Sequence, residues 1–406
     1  TDHNVHVDHE PYAREMNVRQ HFTPVIGNEV TTQIGHFNVF PVQSGARLPN
    51  HKLQSWEAIL GDIYRTPGVK VAILNHGRDL HSGVRPLGPK LFNDAVGEHV
   101  EDWAVRHNAM EVVNSSATQS DPLQLLHDWM TCLNRGRVMT PVGCSDSHDV
   151  ARHFVGQGRT DIRCDDSDAG NIDVDDAVAN FLQGRVLVSY GLIAELLVED
   201  KYRSGEVARV PNDEVQVSLR VLGPHWTKVD EVTLYANGEP SQSWKVDPEA
   251  LEEFPPGVKW ARSITIPRPN HDVHMVAVAT GHGIDGLYWP MAKPYQPTST
   301  DWHPKSLACS GAVWLDVDGD GRASSARDYA ERLFLANHGD FAKLLEQLRP
   351  YDSAVAAQTA LLVQSSGQSL LAERTLEQLG SAAEQTRDGF NSYLRAWRLN
   401  QQASRE

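Results

Sequence analysis

The sequence predicts an α/β domain over residues 1–190, then an antiparallel β domain, then a helical C-terminal segment. Three patterns lead to this prediction. Short apolar runs alternate with amphipathic stretches in the first part, which is typical of βα units around a parallel sheet, open or closed into a barrel. Strict apolar–polar alternation replaces the helical period between 191 and 300, and helical periodicity returns from Ala326 onwards.

Composition narrows the possible classes of protein. The chain has 406 residues, enough for two or three domains, and 37 basic against 53 acidic residues give a net charge of −16. This balance argues against a broad nucleic-acid surface. No apolar run approaches the roughly 18 residues that a membrane helix needs. The four cysteines form no CxxC pair, which argues against a disulfide scaffold and a thiolate zinc site.

The helices and strands of the first domain are predicted from its apolar runs and from the residues that interrupt helices and strands. We expect helices at 52–64, 89–106 (interrupted) and 122–135, the last with Asp121 as N-cap before Pro122. Strands are expected at 23–29, 69–75, 109–114, 138–144 and 184–190.

The later segments have simpler patterns. Residues 214–222, 231–235 and 274–279 alternate strictly and predict an antiparallel β-sandwich over 191–300. A turn-rich connector follows at 301–325. The helical segment from Ala326 carries an apolar stripe, which predicts packing or self-association.

Imidazole and carboxylate side chains follow several apolar runs of the first domain. In parallel α/β folds the carboxyl ends of strands carry the functional site. Nitrogen and oxygen ligands without thiolates suit Zn, Mn or Fe, and several together suit a hydrolase with two or three divalent ions. A polar core role is the alternative for each residue taken singly. The candidate metal ligands are His3, Glu29, His36, His76, Asp146 and His148.

The motifs that contain these residues occur in a characteristic order along residues 1–190: TDHN at 1–4, GNE at 27–29, GHFN at 35–38, NH at 75–76, EVVNS at 111–115 and GCSDSH at 143–148. In this order they resemble the polymerase and histidinol phosphatase (PHP) superfamily, in particular its carbaryl-hydrolase-like metallohydrolases. The resemblance implies a distorted (β/α)7 barrel followed by β structure.

The resemblance also implies ligand roles. Glu29 would bridge two metals, His36 and His76 would complete the second, and Asp146 would serve the first. His3 and His148 would serve a third. The family's opening His-x-His pair and another early ligand are expected before Thr1, so the chain is expected to lack its first strand, with any export signal further upstream. We interpret His6 and His9 as loop residues.

Other polar residues near these motifs are candidates for supporting roles. The candidate catalytic residues are Asp146, His148, Arg78 and Glu111. Glu111 resembles part of the family's Glu-x-x-Asn stretch, which would orient ligands or substrate, or else close a buried strand end. Arg78 is expected to receive a phosphate or ester oxygen, with a solvated loop as the alternative.

Five further residues complete this set. Asn114 shares the role and the alternative given for Glu111, and His81 shares those of Arg78. Arg159 would face the site or form a structural salt bridge. Ser145 and Ser147 flank ligands, but no Gly-x-Ser-x-Gly motif accompanies them, which argues against a serine nucleophile.

An acidic loop provides a second metal signal. Asp316, Asp318 and Asp320 take positions 1, 3 and 5 with Gly321 at position 6, as in calcium loops. Arg327 stands at position 12 and Asp328 follows it, so the loop departs from an EF-hand. Either calcium pins the helical segment onto the β domain here, or the loop is a solvated acidic turn.

The predicted function is a metal-dependent hydrolase that uses metal-activated water on a small phosphoester or a carboxylic or carbamic ester. The first alternative is a degenerate barrel that acts as a binding module. The second is a single-metal amidohydrolase with a bridging lysine, against which Lys70 counts because it begins a run. A calcium-type loop favours export and unpaired cysteines favour the cytoplasm; export is slightly favoured, and the oligomeric state stays open.

Overall fold

The computed structural model describes residues 1–80, 83–101, 103–114, 121–148, 155–247, 254–283, 306–337 and 339–405. The strands in these ranges are β1 Asn28–Thr32, β2 Gly35–Phe40, β3 Val71–Leu74, β4 Phe92–Asn93, β5 Glu98–His99, β6 Ala109–Asn114, β7 Thr140–Cys144, β8 Gly158–Ile162, β9 Val186–Tyr190, β10 Ile193–Val198, β11 Val207–Arg209, β12 Glu214–Leu222, β13 Glu231–Ala236, β14 Glu239–Lys245, β15 Val258–Pro267, β16 Val273–Gly281, β17 Ser306–Ser310 and β18 Val313–Asp316. The α-helices are α1 Glu10–Glu15, α2 Trp56–Tyr64, α3 Gln124–Asn134, α4 Val174–Leu182, α5 Ala326–Ala336, α6 Phe341–Gln347, α7 Ser353–Ser365, α8 Glu373–Gly380 and α9 Glu384–Ala403.

The N-terminal part contains a five-stranded mixed sheet of order β1-β2-β3-β6-β7. Strand β2 runs antiparallel to both β1 and β3, whereas β3, β6 and β7 run parallel to one another. Helices α2 and α3 connect β2 to β3 and β6 to β7. Their apolar faces, including Ile59, Leu60 and Trp129, are buried in the core beside this sheet.

The prediction of a distorted (β/α)7 barrel is wrong. The structure is a mixed α/β fold with several sheets, and none of the sheets formed by the described residues closes on itself. Strand β1 forms one edge of the five-stranded sheet and β7 forms the other.

Two local features explain why a barrel does not form. Strands β1 and β2 are joined by only two residues, with Thr32 opposite Gly35, and so short a connection makes a hairpin rather than a parallel crossover. The predicted helix at 89–106 is absent in the described part of that range, which forms the small β4–β5 hairpin and extended chain instead. Strand β6 still pairs in parallel with β3, so the crossover between them carries no helix in its described part, and the strand–helix alternation of a (β/α)7 barrel is interrupted here.

Several local predictions are confirmed. Strands β6 and β12 have the predicted bounds, and β3, β7, β9, β13 and β16 lie within two residues of theirs. The predicted helix at 52–64 is shortened to α2, where the Ser55 side chain accepts a hydrogen bond from the Ala58 N–H. The cap predicted at Asp121 is displaced, because α3 begins at Gln124 after Leu123.

An eight-stranded sheet connects the N-terminal part with the segment that follows it. Its main path is β11-β18-β16-β17-β9-β8, with β13 and β14 attached through β16. Strand β9 pairs with β17 across more than a hundred residues of sequence. This sheet and the three-stranded sheet β10-β12-β15 enclose a shared core that includes Val217, Leu234 and Met275. Most pairings are antiparallel, but β11 and β18 are parallel.

The C-terminal helices α5–α9 surround their own core and also contact the N-terminal part. The Asn400 amide donates hydrogen bonds to the carbonyl oxygens of Pro89 and Phe92, at 2.7 and 2.8 Å. Gln358 donates to the Val96 carbonyl at 3.0 Å. Within the described ranges, no helix has both the length and the apolar character needed to cross a bilayer.

Candidate metal centre

Neighbouring strands bring Glu29, His36 and His76 together. Glu29 lies on β1 opposite Asn38 of β2, so His36 is its diagonal neighbour across the hairpin. His76 follows the end of β3, the strand that pairs with β2. One ligand atom from each of these three residues lies within 4.8 Å of the others. The Glu29 Oε1 atom is 3.0 Å from His36 Nδ1 and 3.9 Å from His76 Nε2.

The other three candidates continue from the second oxygen of the same carboxylate, with His3 beside it and His148 and Asp146 beyond His3. The backbone of His3 forms a parallel bridge with Glu29, and His3 Nδ1 lies 3.6 Å from Glu29 Oε2. His3 Nε2 is 3.4 Å from His148 Nε2. His148 Nδ1 is in turn 3.6 Å from Asp146 Oδ1. All six candidate ligands line one cleft of about 660 Å³, and their role as metal ligands stays a prediction.

The backbone is strained at two of these residues. His76 and Asp146 follow β3 and β7, and their φ angles of 30° and 46° lie in the left-handed region that non-glycine residues rarely adopt. The His76 N–H donates to Glu111 Oε2 at 2.5 Å, which fixes this conformation. This backbone conformation, at the ends of the parallel strands β3 and β7, places both side chains in the lining of the cleft.

Charge interactions among the cleft residues shift the pKa values of Glu29 and His76. Burial opposes the charged form of Glu29, but hydrogen bonds from His36 and His76 and the charge of His3 outweigh it, so its pKa lies well below the ordinary value. Burial would lower the pKa of His76; the hydrogen bond to Glu29 and the negative charges of Glu111 and Asp146 instead raise it to about 9. The cluster therefore attracts positive charge, as a cation site requires.

A buried network beneath the cleft orients these groups. Glu111 is 1% exposed and accepts hydrogen bonds from Asn114 Nδ2 at 2.9 Å and Cys144 Sγ at 2.7 Å, besides the His76 N–H. Asn114 Nδ2 also lies 3.3 Å from Asp146 Oδ2. Burial, opposed by His76 and reinforced by Asp146, raises the pKa of Glu111. Glu111 is thus placed to hold the backbone of His76, and Asn114 to hold Asp146.

The structure places Arg78 in a salt bridge instead of the cleft lining. Its guanidinium is 2.5 Å from Asp128 Oδ2 and 3.6 Å from Asp94 Oδ2. Asp128 is completely buried, so losing Arg78 would leave an uncompensated carboxylate in the core. This ion pair occupies the guanidinium that sequence reasoning assigned to a phosphate or ester oxygen.

The remaining candidates also lie away from the cleft. Arg159 is on β8, 3.9 Å from Asp161 Oδ2. Lys70, the lysine weighed for a single-metal amidohydrolase, precedes β3 at the end far from His76, and its Nζ is 2.7 Å from Asp175 Oδ1. His9 is the N-cap residue of α1 and His6 is in the preceding segment; neither lines the cleft. Ser145 accepts a hydrogen bond from the Gly156 N–H. His81 lies outside the described residues.

Sequence reasoning missed several residues around the site. Asp79 lines the cleft three residues after His76, so its proximity to a predicted ligand could have revealed it. The Thr31 hydroxyl lies 2.5 Å from His3 Nδ1 and fixes that ring. Cys144 was excluded as a metal ligand, and its thiol supports Glu111 instead. Cleft-lining residues without a motif could not be found from sequence: Thr32, Gln33, Gly83, Val84 and Pro86.

The acidic loop gathers a different set of carboxylates from the one predicted. Ligand atoms of Asp316, Asp318 and Asp272 lie within 4.8 Å of one another. Asp328 instead forms a capping box with Ser325 at the start of α5, and Asp320 accepts a hydrogen bond from the Arg322 N–H.

The buried carboxylates of this loop already bind backbone N–H groups. Asp316 accepts from Gly319 and Gly321, and Asp272 accepts from Val317 and Ser324. These bonds hold the loop closed by themselves. Calcium at this loop stays a prediction.

The fold and the site together define a class: a mixed α/β protein with a cleft lined by imidazole and carboxylate side chains beside its five-stranded sheet. Comparison of the chain with protein-family models, with curated proteins and with solved structures finds no match.

Proposed function

We propose that the protein is a metal-dependent hydrolase that uses metal-activated water on a small-molecule ester. The observation that carries the proposal is the convergence of Glu29, His36 and His76 within 4.8 Å, with His3, Asp146 and His148 beside them in one cleft. The order of motifs that resembles the PHP superfamily gives additional support.

The donor set fits a divalent transition-metal ion. Two imidazoles and one carboxylate form a group suited to Zn, Mn or Fe and leave room for water and substrate. Cys144, two residues before Asp146, donates its thiol hydrogen bond to Glu111. The imidazoles of His3, His36 and His76 lie 3–4 Å from the Glu29 carboxylate. If all three were protonated, their positive charges would repel one another, whereas one cation bound by neutral imidazoles balances the carboxylate without that repulsion.

The roles of the chain's own residues follow from their contacts. Glu29, His36 and His76 would hold one ion, and His3, Asp146 and His148 would contribute to a second position. When bound, such an ion lowers the pKa of a water molecule and stabilises negative charge on an ester oxygen. Asn114 and Glu111 keep Asp146 and His76 in place.

The charge of the cleft favours an uncharged ester over a phosphate ester. The residues described along its wall include the acids Glu29, Asp79 and Asp146 but no arginine or lysine. Arg78 is neutralised by Asp128 and Asp94. A phosphate group usually meets arginine or lysine donors in its site, whereas Val84 and Pro86 offer an apolar wall to an uncharged leaving group.

A substrate panel with elemental analysis tests this proposal. The protein is reconstituted with Zn, Mn or Fe, and hydrolysis of aryl acetates, aryl N-methylcarbamates and aryl phosphates is compared. We expect bound metal together with turnover of the uncharged esters, at least about tenfold faster than of the phosphates in kcat/KM. Bound metal without turnover of any ester would favour a binding module, and absence of bound metal would reject the proposal.

A further inference from the structure

A second cleft, separate from the candidate metal centre, lies between the β4–β5 segment and the C-terminal helices. It measures about 490 Å³, within the range of about 300–1,000 Å³ typical of small-molecule sites. Trp103 lines it on the N-terminal side, and Tyr393 and Trp397 of α9 line it on the helical side. Both sides of this cleft therefore carry aromatic rings.

Packing beneath Trp103 makes it a fixed platform. The His99 ring stacks on it with an interplanar angle of 7° and a centroid distance of 5.1 Å. His99 is 6% exposed and also contacts the edges of Trp56 and Phe92. The Trp103 Nε1 atom lies 3.4 Å from Glu101 Oε2. A ring held in this way loses little conformational entropy when a ligand packs against it.

The polar groups in the cleft include both donors and acceptors. Arg137 donates to the Gly97 carbonyl at 2.9 Å but forms no ion pair with any described carboxylate. Asn400 is 3% exposed and uses its amide N–H groups on Pro89 and Phe92, which leaves its oxygen as an acceptor. Asn93 accepts from the Ala95 N–H through its side-chain oxygen, which leaves its amide as a donor.

The charges of the cleft balance. Glu98 forms an ion pair with Arg135, so its charge is satisfied within the protein. Among the described residues that line the cleft, the charges that remain are the cation of Arg137 and the anion of Glu101, which cancel. This balance favours an uncharged ligand whose groups both donate and accept hydrogen bonds.

We propose that this cleft binds a sugar ring. Each sugar hydroxyl donates one hydrogen bond and accepts others, which matches the mixed donors and acceptors of Arg137, Asn93 and Asn400. The C–H face of a pyranose is apolar and flat enough to pack on an indole such as Trp103 or Trp397. The site is independent of the metal centre and does not depend on the proposed hydrolase activity.

Titration of the 406-residue chain with glucose, galactose, mannose and N-acetylglucosamine tests the inference. Tryptophan fluorescence and isothermal titration calorimetry should show saturable binding of at least one sugar, with a Kd on the order of 1 mM. The same titration includes benzoate, an aromatic anion. Benzoate binding without sugar binding would identify Arg137 as an anion site and overturn the proposal, as would no saturable signal with any sugar.

Variants locate the binding. Trp397→Ala should weaken sugar binding about tenfold, and Glu101→Gln, which removes the charge of the exposed carboxylate that accepts the Trp103 indole N–H, should weaken it about threefold. Trp226→Ala is the matched control, because Trp226 is 41% exposed and does not line this cleft. Equal affinity in the Glu101 variant and wild type, or loss of affinity in the Trp226 control, would contradict the assignment.

Discussion

Glu29 occupies the centre of the candidate metal centre. Its carboxylate is 6% exposed, and its two oxygens face His36 and His76 on one side and His3 on the other. A buried carboxylate surrounded by imidazoles is stable only while those partners, or a cation that replaces their protons, balance its charge.

Glu29→Gln tests this residue. The amide has the same size but no charge, so we expect metal content to fall by at least about half and kcat/KM by roughly 10- to 100-fold, the usual cost of disturbing a metal site. Elemental analysis and steady-state kinetics measure the two effects. Glu231→Gln is the control, since Glu231 pairs with Lys245 on the surface. Unchanged metal stoichiometry in the Glu29 variant would contradict its role as a ligand.

At the scale of elements, α7 and α9 pack in direct contact through a glycine. A Cβ added at Gly389 of α9 would lie 2.3 Å from the Ser353 carbonyl and 2.6 Å from the Ala356 Cβ. Both distances are shorter than any real contact, so the absence of a side chain lets the helices approach. This packing supports the core that contains Phe390 and Leu394.

Gly389→Ala should therefore force the two helices apart. We expect a loss of about 1–3 kcal/mol in the free energy of unfolding, the usual cost of overpacking a core. Gly380→Ala is the matched control in α8, because nothing lies within 4 Å of its added Cβ, and alanine should be neutral or stabilise by up to about 1 kcal/mol. Urea denaturation measures both. Equal stability of the two variants would show that the helices accommodate the methyl group.

At the scale of the whole molecule, three buried histidines make the fold sensitive to acid. His99 and His107 both pack against Trp56, and His274 packs against Trp314; burial lowers the pKa of each histidine to about 3. The nearby charge of Arg137 adds to the effect at His99 and His107. They are neutral in the folded protein, whereas in the unfolded chain they take up protons below about pH 6.5.

Stability should consequently fall as the pH drops from 6.5 towards 3, because the unfolded state binds more protons in that window. At pH 5.5 each histidine costs about 1.4 kcal/mol relative to neutral pH. His107→Leu removes one such group, so the difference in unfolding free energy between pH 7.5 and 5.5 should shrink by about that amount. His225→Leu, at an exposed position, is the control. An identical pH dependence in the His107 variant would contradict this explanation.

The local pattern of residues was sufficient for part of the fold and of the candidate site. An apolar run located β6 and strict alternation located β12, and the position of Glu29, His76 and Asp146 at the carboxyl ends of apolar runs predicted that they meet. These inferences succeed because alternation and strand ends depend on residues close in sequence.

The remaining features depend on contacts between distant segments. No local pattern distinguishes a β1–β2 hairpin from a barrel strand, or joins Asp272 to the acidic loop more than forty residues later. Arg78 was predicted in the site because it follows His76, but burial of Asp128 draws it into a salt bridge.

The sequence by itself determined where seven of the strands in the described residues lie (β3, β6, β7, β9, β12, β13 and β16) and which imidazoles and carboxylates follow β3 and β7. Only the tertiary structure decided that the sheets stay open, that β9 joins β17, and that α9 closes a second cleft over Trp103. The physical reason is that strand partners and domain contacts are chosen by packing and backbone hydrogen bonds across the whole chain, which local periodicity does not encode.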